Sequence, residues 1–160
     1  MKTRKHRTFS VVLGLLAILA TQVSAIQLKD LLGTWKGKRT ELQSGVGGYS
    51  NATLIGKRTS DGGVIVTEIG TSKWIGAYKI KHTFQKNGTY RSKQTLYGLI
   101  LATSSGKWRI KGSAISISGV GRSSSGSSKF SGLLRKPTKK TLVYSGKSGS
   151  ISVTIRGKKQ

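Results

Sequence analysis

Cysteine is absent from this chain of 160 residues, so disulfides, thiolate metal sites and cysteine nucleophiles are all excluded. Carboxylates are nearly absent: Asp30, Glu41, Asp61 and Glu68 are the only four acidic residues. Of the two histidines, only His82 lies beyond the N-terminal leader stretch. Pro137 is the sole proline. Catalysis needs positioned acids, bases or nucleophiles, and here they are few and scattered in sequence. One histidine and isolated carboxylates do not make a metal site. No glycine-rich turn leads from a strand into a helix, so a nucleotide-binding loop is excluded. From sequence, then, no enzyme, catalytic residue, metal or cofactor is expected.

Long apolar runs are also missing, with one exception at the start. Lys2, Arg4, Lys5 and Arg7 precede an apolar stretch over 9–20, interrupted by Ser10 and Gly14. Thr21-Gln22-Val23-Ser24-Ala25 follows, with small residues at its end. A basic head, an apolar middle and a small-residue cleavage site describe a secretory signal peptide. The run is shorter than the roughly 20 residues that cross a bilayer. Residues 1–25 are therefore expected to be removed. Residues 26–160 form one exported domain, periplasmic or extracellular, in a bacterial setting.

What the chain has in excess is positive charge and glycine. Lys and Arg number 29 and the net charge is +25. Loss of the four leader cations leaves +21. Such a surface attracts anionic polymers and membranes and repels its own copies. Glycine numbers 22, and short alternating segments recur between turn residues. Strands are expected over 34–43, 49–57, 64–70, 77–85, 89–101, 107–111, 114–119, 129–135, 141–145 and 150–156, after a short helical lead-in within 26–32. The Ser/Gly-rich stretch 121–128 reads as a flexible hairpin loop.

Turn chemistry sets the register of two hairpins. A Gly112-Ser113 turn of type II′ pairs Lys111 with Ala114, Ile110 with Ile115 and Trp108 with Ile117. The Lys86-Asn87-Gly88 loop, with Gly88 left-handed, sets Phe84 opposite Tyr90, His82 opposite Ser92, Ile80 opposite Gln94 and Tyr78 opposite Leu96. Lys79, Lys81, Arg91 and Lys93 then face water. The other face mixes aromatic and apolar groups with His82, Ser92 and Gln94. Buried polar groups need partners, so this mixture fits either a barrel mouth or a partly wet lumen. His82 reads first as a histidine hydrogen-bonded to Ser92, and otherwise as a ligand donor.

Leu31-Leu32-Gly33-Thr34-Trp35 resembles the Gly-x-Trp opening of lipocalins and related calycins. The resemblance implies a single antiparallel β-barrel, all-β, of eight to ten strands, with a lumen for a small apolar ligand. It also implies that Trp35 sits at the closed end with a late arginine, Arg156, packed across it. A second Thr-Asp-Tyr motif, a C-terminal helix and a disulfide are missing from the pattern. The expected ligand-lining residues are Tyr78, His82, Phe84, Tyr90, Ser92, Gln94 and Trp108.

Two functions follow from different features. The barrel implies a binding module for a small apolar ligand. The charge implies a surface that binds polyanions of the cell envelope, such as lipopolysaccharide, acidic polysaccharide or anionic lipid. Its expected contacts are Lys79, Lys81, Arg91, Lys93, Arg109, Lys111, Lys136, Lys139 and Lys140. Arg39 is grouped with these surface cations, and the aromatics are read as inward-facing. Export and inward aromatics together argue against nucleic acid as a partner. Neither the ligand nor the oligomeric state follows from sequence. N-terminal sequencing of exported protein is expected to read Ile-Gln-Leu-Lys; a membrane-retained chain that keeps residues 1–25 would overturn the leader.

Overall fold

A computed structural model describes residues 25–72 and 76–160, so the expected leader lies outside it apart from Ala25. Ten strands follow a short 3-10 helix, Leu28–Leu31: β1 (Gly33–Gln43), β2 (Val46–Arg58), β3 (Val64–Ser72), β4 (Gly76–Phe84), β5 (Thr89–Leu96), β6 (Leu99–Lys111), β7 (Ala114–Ser123), β8 (Gly126–Thr138), β9 (Thr141–Ser148) and β10 (Ile151–Lys159). Every neighbouring pair is antiparallel. β1 also pairs with β10, so the sheet is a closed barrel with no free edge. Closure satisfies the outermost N–H and C=O groups of a chain that has no disulfides and, among the described residues, no helix flanking the sheet edge.

Both registered hairpins form as expected. Ile110 faces Ile115 and Trp108 faces Ile117, with Gly112 at φ 59°. Phe84 faces Tyr90, His82 faces Ser92 and Ile80 faces Gln94, with Gly88 at φ 85°. The β4–β5 ladder ends at Lys79–Thr95, one step short of the expected Tyr78–Leu96 pair.

Two segments differ from the sequence reading. The expected strand over 89–101 is broken at Tyr97-Gly98, whose φ values of 48° and 83° turn the chain back into β6. The 121–128 stretch is strand rather than loop, with only Ser124 and Ser125 between β7 and β8. Composition misled there because a ladder is held by backbone groups. Ser and Gly pair as well as larger residues where neighbouring strands already fix the register, and Ser128 Oγ also bonds Ser148 Oγ at 2.8 Å.

Alternation sends one side chain in two inward, and the inward set differs between the two ends. At one end Ile26, Leu31, Trp35, Val64, Phe84, Ile115 and Leu142 pack into a dry core. The 3-10 helix plugs this end. Asp30 fixes it by accepting from the Gln27 N–H at 2.8 Å and from Lys136 Nζ at 2.6 Å. The Leu31 carbonyl lies so close to Gly56 that any side chain there would strike it. Trp108 Nε1 donates to the Gln85 carbonyl at 2.8 Å and ties β6 to the β4–β5 turn.

Trp35 is fully buried at the plugged end, and β1 does meet β10. Arg156, however, is not its partner. β10 runs three residues past Arg156, which places Arg156 opposite Lys38 and Lys159 opposite Trp35. Arg156 falls on the outward parity and is exposed, while Lys159 Nζ lies 5.5 Å from the Trp35 ring centroid. A double-mutant cycle on Trp35→Ala and Lys159→Ala by urea unfolding is expected to give a coupling of about 0.5–1 kcal/mol. The same cycle with Arg156→Ala should be additive.

Candidate functional site

Opposite the plug the barrel is open. The turns between β1 and β2, β5 and β6, β7 and β8, and β9 and β10 surround its mouth. A cavity of about 450 Å³ runs inward from them. Its mouth is lined by amides and hydroxyls, including Gln43, Gln94, Ser123 and Ser148. Deeper in, Ile80, Tyr90, Phe130, Tyr144 and Val153 form the wall. Tyr90 and Phe130 pack with ring centroids 5.7 Å apart. The Tyr144 ring lies against Gly132 and Gly146, in space that side chains there would take. Burial pushes the Tyr144 hydroxyl up to about 12.

A charged cluster sits in the wall at mid-depth. Glu68 on β3 is 2% exposed. Its Oε1 accepts from Arg39 Nη1 at 2.6 Å and from the Tyr78 hydroxyl at 2.6 Å. Its Oε2 faces His82 Nε2 at 3.4 Å, and His82 Nδ1 meets the Tyr90 hydroxyl at 2.7 Å. Arg39 also donates from Nε to Glu41 Oε2 at 3.4 Å, and Ser72 Oγ donates to the same oxygen at 3.0 Å. The Arg39 guanidinium stacks 5.0 Å from the Tyr78 ring centroid.

Burial acts to raise the Glu68 carboxyl. The His82 hydrogen bond and the Arg39 charge outweigh it and hold Glu68 below the usual carboxylate range. Burial and the Glu68 charge push Tyr78 far up, and burial does the same to Tyr90, so both phenols keep their protons and donate. An ionised Glu68 offers only lone pairs. In a neutral His82 ring this puts the proton on Nε2 and leaves Nδ1 to accept from Tyr90. The outcome is a hydrogen-bonded line from Glu68 through His82 to a Tyr90 side chain that borders the cavity.

Among the residues expected to line a ligand site, His82, Tyr90, Ser92 and Gln94 border the cavity. Phe84 and Trp108 lie in the plugged half, with Phe84 ring contacts to Tyr90 at 5.3 Å and to Trp108 at 6.4 Å. Tyr78 is buried between Arg39 and Glu68. His82 partners Tyr90 and Glu68 rather than Ser92, because its ring reaches along and across the wall instead of straight over the ladder. Arg39 is not a surface cation. It occupies the inward parity of β1 and is 8% exposed. The alternation of Trp35, Gly37, Arg39 and Glu41 carried that signal, since a Trp fixed inward sends Arg39 the same way.

The outward cations fall into separate regions. Lys79, Lys81, Arg91 and Lys93 share the outer face of β4 and β5, where Lys81 stands directly opposite Lys93. Arg122, which sequence did not single out, joins them across β6. Arg109, Lys111, Lys139 and Lys140 lie toward the plugged end. Lys136 is half-buried and paired with Asp30. The aromatics are not all inward: Tyr49 and Tyr97 are exposed.

No protein-family model matches the sequence, and no curated protein matches it significantly. Solved structures do match. The chain superposes on Rv2717c from M. tuberculosis with a TM-score of 0.60 at 12% identity, covering 83% of this chain and 94% of that one. It superposes on the S-type phycobiliprotein lyase CPES from Guillardia theta with a TM-score of 0.56 at 7% identity, covering 83% and 90%. At these identities the shared property is the fold, a closed antiparallel barrel of the lipocalin-like kind.

The expectation that the protein is not an enzyme is corrected by the second match, since a barrel of this shape belongs to a protein named as a lyase. Its premise fails as well. Two of the four carboxylates, Glu41 and Glu68, converge in space with Arg39 and His82, with Glu68 bonded to residues of β1 and β4. Among the described residues no group of three or more acidic, His or Cys side chains is placed to hold a metal.

Removing Glu68 strands Arg39 in the barrel wall, and Glu68→Ala is expected to cost about 3–5 kcal/mol in urea unfolding. A lowered carboxyl contributes stability that is complete above its unfolded value, near 4.5, and is lost as pH falls through the folded value. The wild type should therefore lose stability in acid more steeply than Glu68→Gln, which has no such proton to take up.

Proposed function

We propose that this protein is an exported carrier or processing barrel for a small, largely apolar molecule with a polar end. The observation that carries the reading is the open cavity of about 450 Å³, with aromatic and aliphatic walls below a mouth of amides and hydroxyls. That volume lies within the roughly 300–1,000 Å³ of ordinary small-molecule sites. An apolar body would contact Ile80, Phe130 and Val153, and a polar group would reach Gln94 or the mouth serines. The lyase among the similar barrels keeps chemistry on the bound molecule within this reading. Tyr90, whose hydroxyl is held by His82 and Glu68 behind it, borders the space where such a polar group would sit. Cleavage after Ala25 and export belong to the same proposal.

Native mass spectrometry of protein purified from its own source tests the reading. A retained small molecule, released on denaturation, is the expected result. Phe130→Lys places a charge in the apolar wall and should weaken retention at least tenfold, or about 1.4 kcal/mol. Its circular dichroism should stay that of the barrel. Wild-type protein that is always empty, and that takes up no apolar fluorophore displaced by the Phe130 change, would overturn it.

A further inference from the structure

Among the described residues of the mouth, exposed apolar side chains gather on two hairpins. On the β1–β2 hairpin, Leu42, Val46 and Tyr49 are 44%, 51% and 80% exposed. On the β5–β6 hairpin, Tyr97, Leu99 and Ile100 are 89%, 72% and 57% exposed. The β7–β8 and β9–β10 tips carry Ser124-Ser125 and Gly149-Ser150 instead. Tyr97 holds φ 48°, a left-handed conformation costly for a bulky residue, and the turn projects its ring from the tip. Exposed apolar side chains clustered on hairpin tips mark a contact surface rather than a solvated rim.

Behind the β5–β6 tip, on the outer wall, lies a groove of about 410 Å³. Lys81, Arg91, Lys93 and Arg122 line it, among the hydroxyls of Thr83, Thr103 and Ser105. Lys81 and Lys93 stand directly opposite each other, a like-charge pair that works against folding. Lys93 pairs with Thr103, three residues along β5 from the last pair, Leu96 with Leu99. That is about 10 Å at roughly 3.4 Å per residue.

The chain's four carboxylates are all elsewhere. Glu41 and Glu68 point into the barrel, and Asp30 and Asp61 lie at the plugged end. The outer surface around the mouth therefore carries positive charge alone.

We infer that the apolar side of the mouth docks on an anionic lipid bilayer. The β5–β6 and β1–β2 tips enter the boundary between headgroups and acyl chains, and the groove cations meet the headgroup phosphates behind them. The spacing fits, because interfacial elements sink about 5–10 Å into that boundary. A soluble polyanion would use the cations but leave both apolar tips in water. A second copy of the chain would bring two strongly positive surfaces together. The inference does not depend on what the lumen holds, since the tip residues named for the test lie outside its wall.

Co-sedimentation with lipid vesicles tests it, using the chain from Ile26, which contains every strand of the closed sheet and the whole plug. Binding is expected to vesicles that contain phosphatidylglycerol and not to phosphatidylcholine alone. Leu99→Ser with Ile100→Ser should weaken it at least about tenfold. Lys81→Gln with Lys93→Gln should weaken it and flatten its salt dependence. Thermal unfolding of Leu99→Ser with Ile100→Ser should match wild type, because both side chains are exposed, and that of Lys81→Gln with Lys93→Gln should be no lower, because a like-charge pair is removed. Absent binding, or binding unaffected by the tip substitutions, overturns the inference. A dimer in sedimentation velocity that Leu99→Ser with Ile100→Ser abolishes would also overturn it and assign the tips to a second copy.

Discussion

The ladder between β1 and β10 is the constraint on which the rest depends. It runs from Trp35–Lys159 to Gln43–Ile151 and turns ten strands into a ring. Without it, two long edges would lie open in a chain that has no disulfide, and among the described residues the one short 3-10 helix sits in the plug and covers no edge. The same register brings Lys159 over Trp35 and puts Arg39 beside Ile155 on the inner wall. Plug, charged cluster and cavity are thus three heights of one closed surface. A slip of one residue at the seam would exchange the inner and outer sets along the whole of β10.

The interior divides its labour by height. Below, large apolar groups pack into one buried cluster. At mid-depth a carboxylate is buried, which is tolerable only because Arg39, Tyr78 and His82 saturate it. Above, hydroxyls and amides line open space. The positive charge is divided too. One arginine neutralises the interior, while the other cations among the described residues lie on the outside with almost no acid near them. A chain with few carboxylates has spent half of them inside its own barrel.

Much of the fold was legible because alternation and turn residues are local signals. Gly88 and Gly112 set their hairpins, and the strand pairs beyond them followed by counting. The break at Tyr97-Gly98 was hidden, because tyrosine is a poor announcer of a left-handed turn. The serine-rich strands were hidden because their stability comes from neighbours 20 or more residues away, such as Ser128 with Ser148. The candidate site was half legible. His82, Tyr90, Ser92 and Gln94 came from one hairpin, whereas Arg39 and Glu68 join it from 29 residues apart. The β1–β2 and β2–β3 ladders make those two neighbours across one strand, and Lys159 escapes a sequence reading because strand ends are not marked in a tail of lysines.

The tyrosines that lie flat against glycines have a consequence for how such a barrel diversifies. Tyr144 occupies the space that side chains at Gly132 and Gly146 would take, and Tyr78 does the same over Gly70. The bore of the lumen is thereby governed in part by Gly132, which is not among its lining residues. Adding one methyl at Gly132 would place a carbon 2.7 Å from the Tyr144 ring, which would have to shift. Selectivity for guest size can drift through mutations that no survey of contacting residues would flag. Paralogues with identical linings and different glycine placements would then be tuned to different guests.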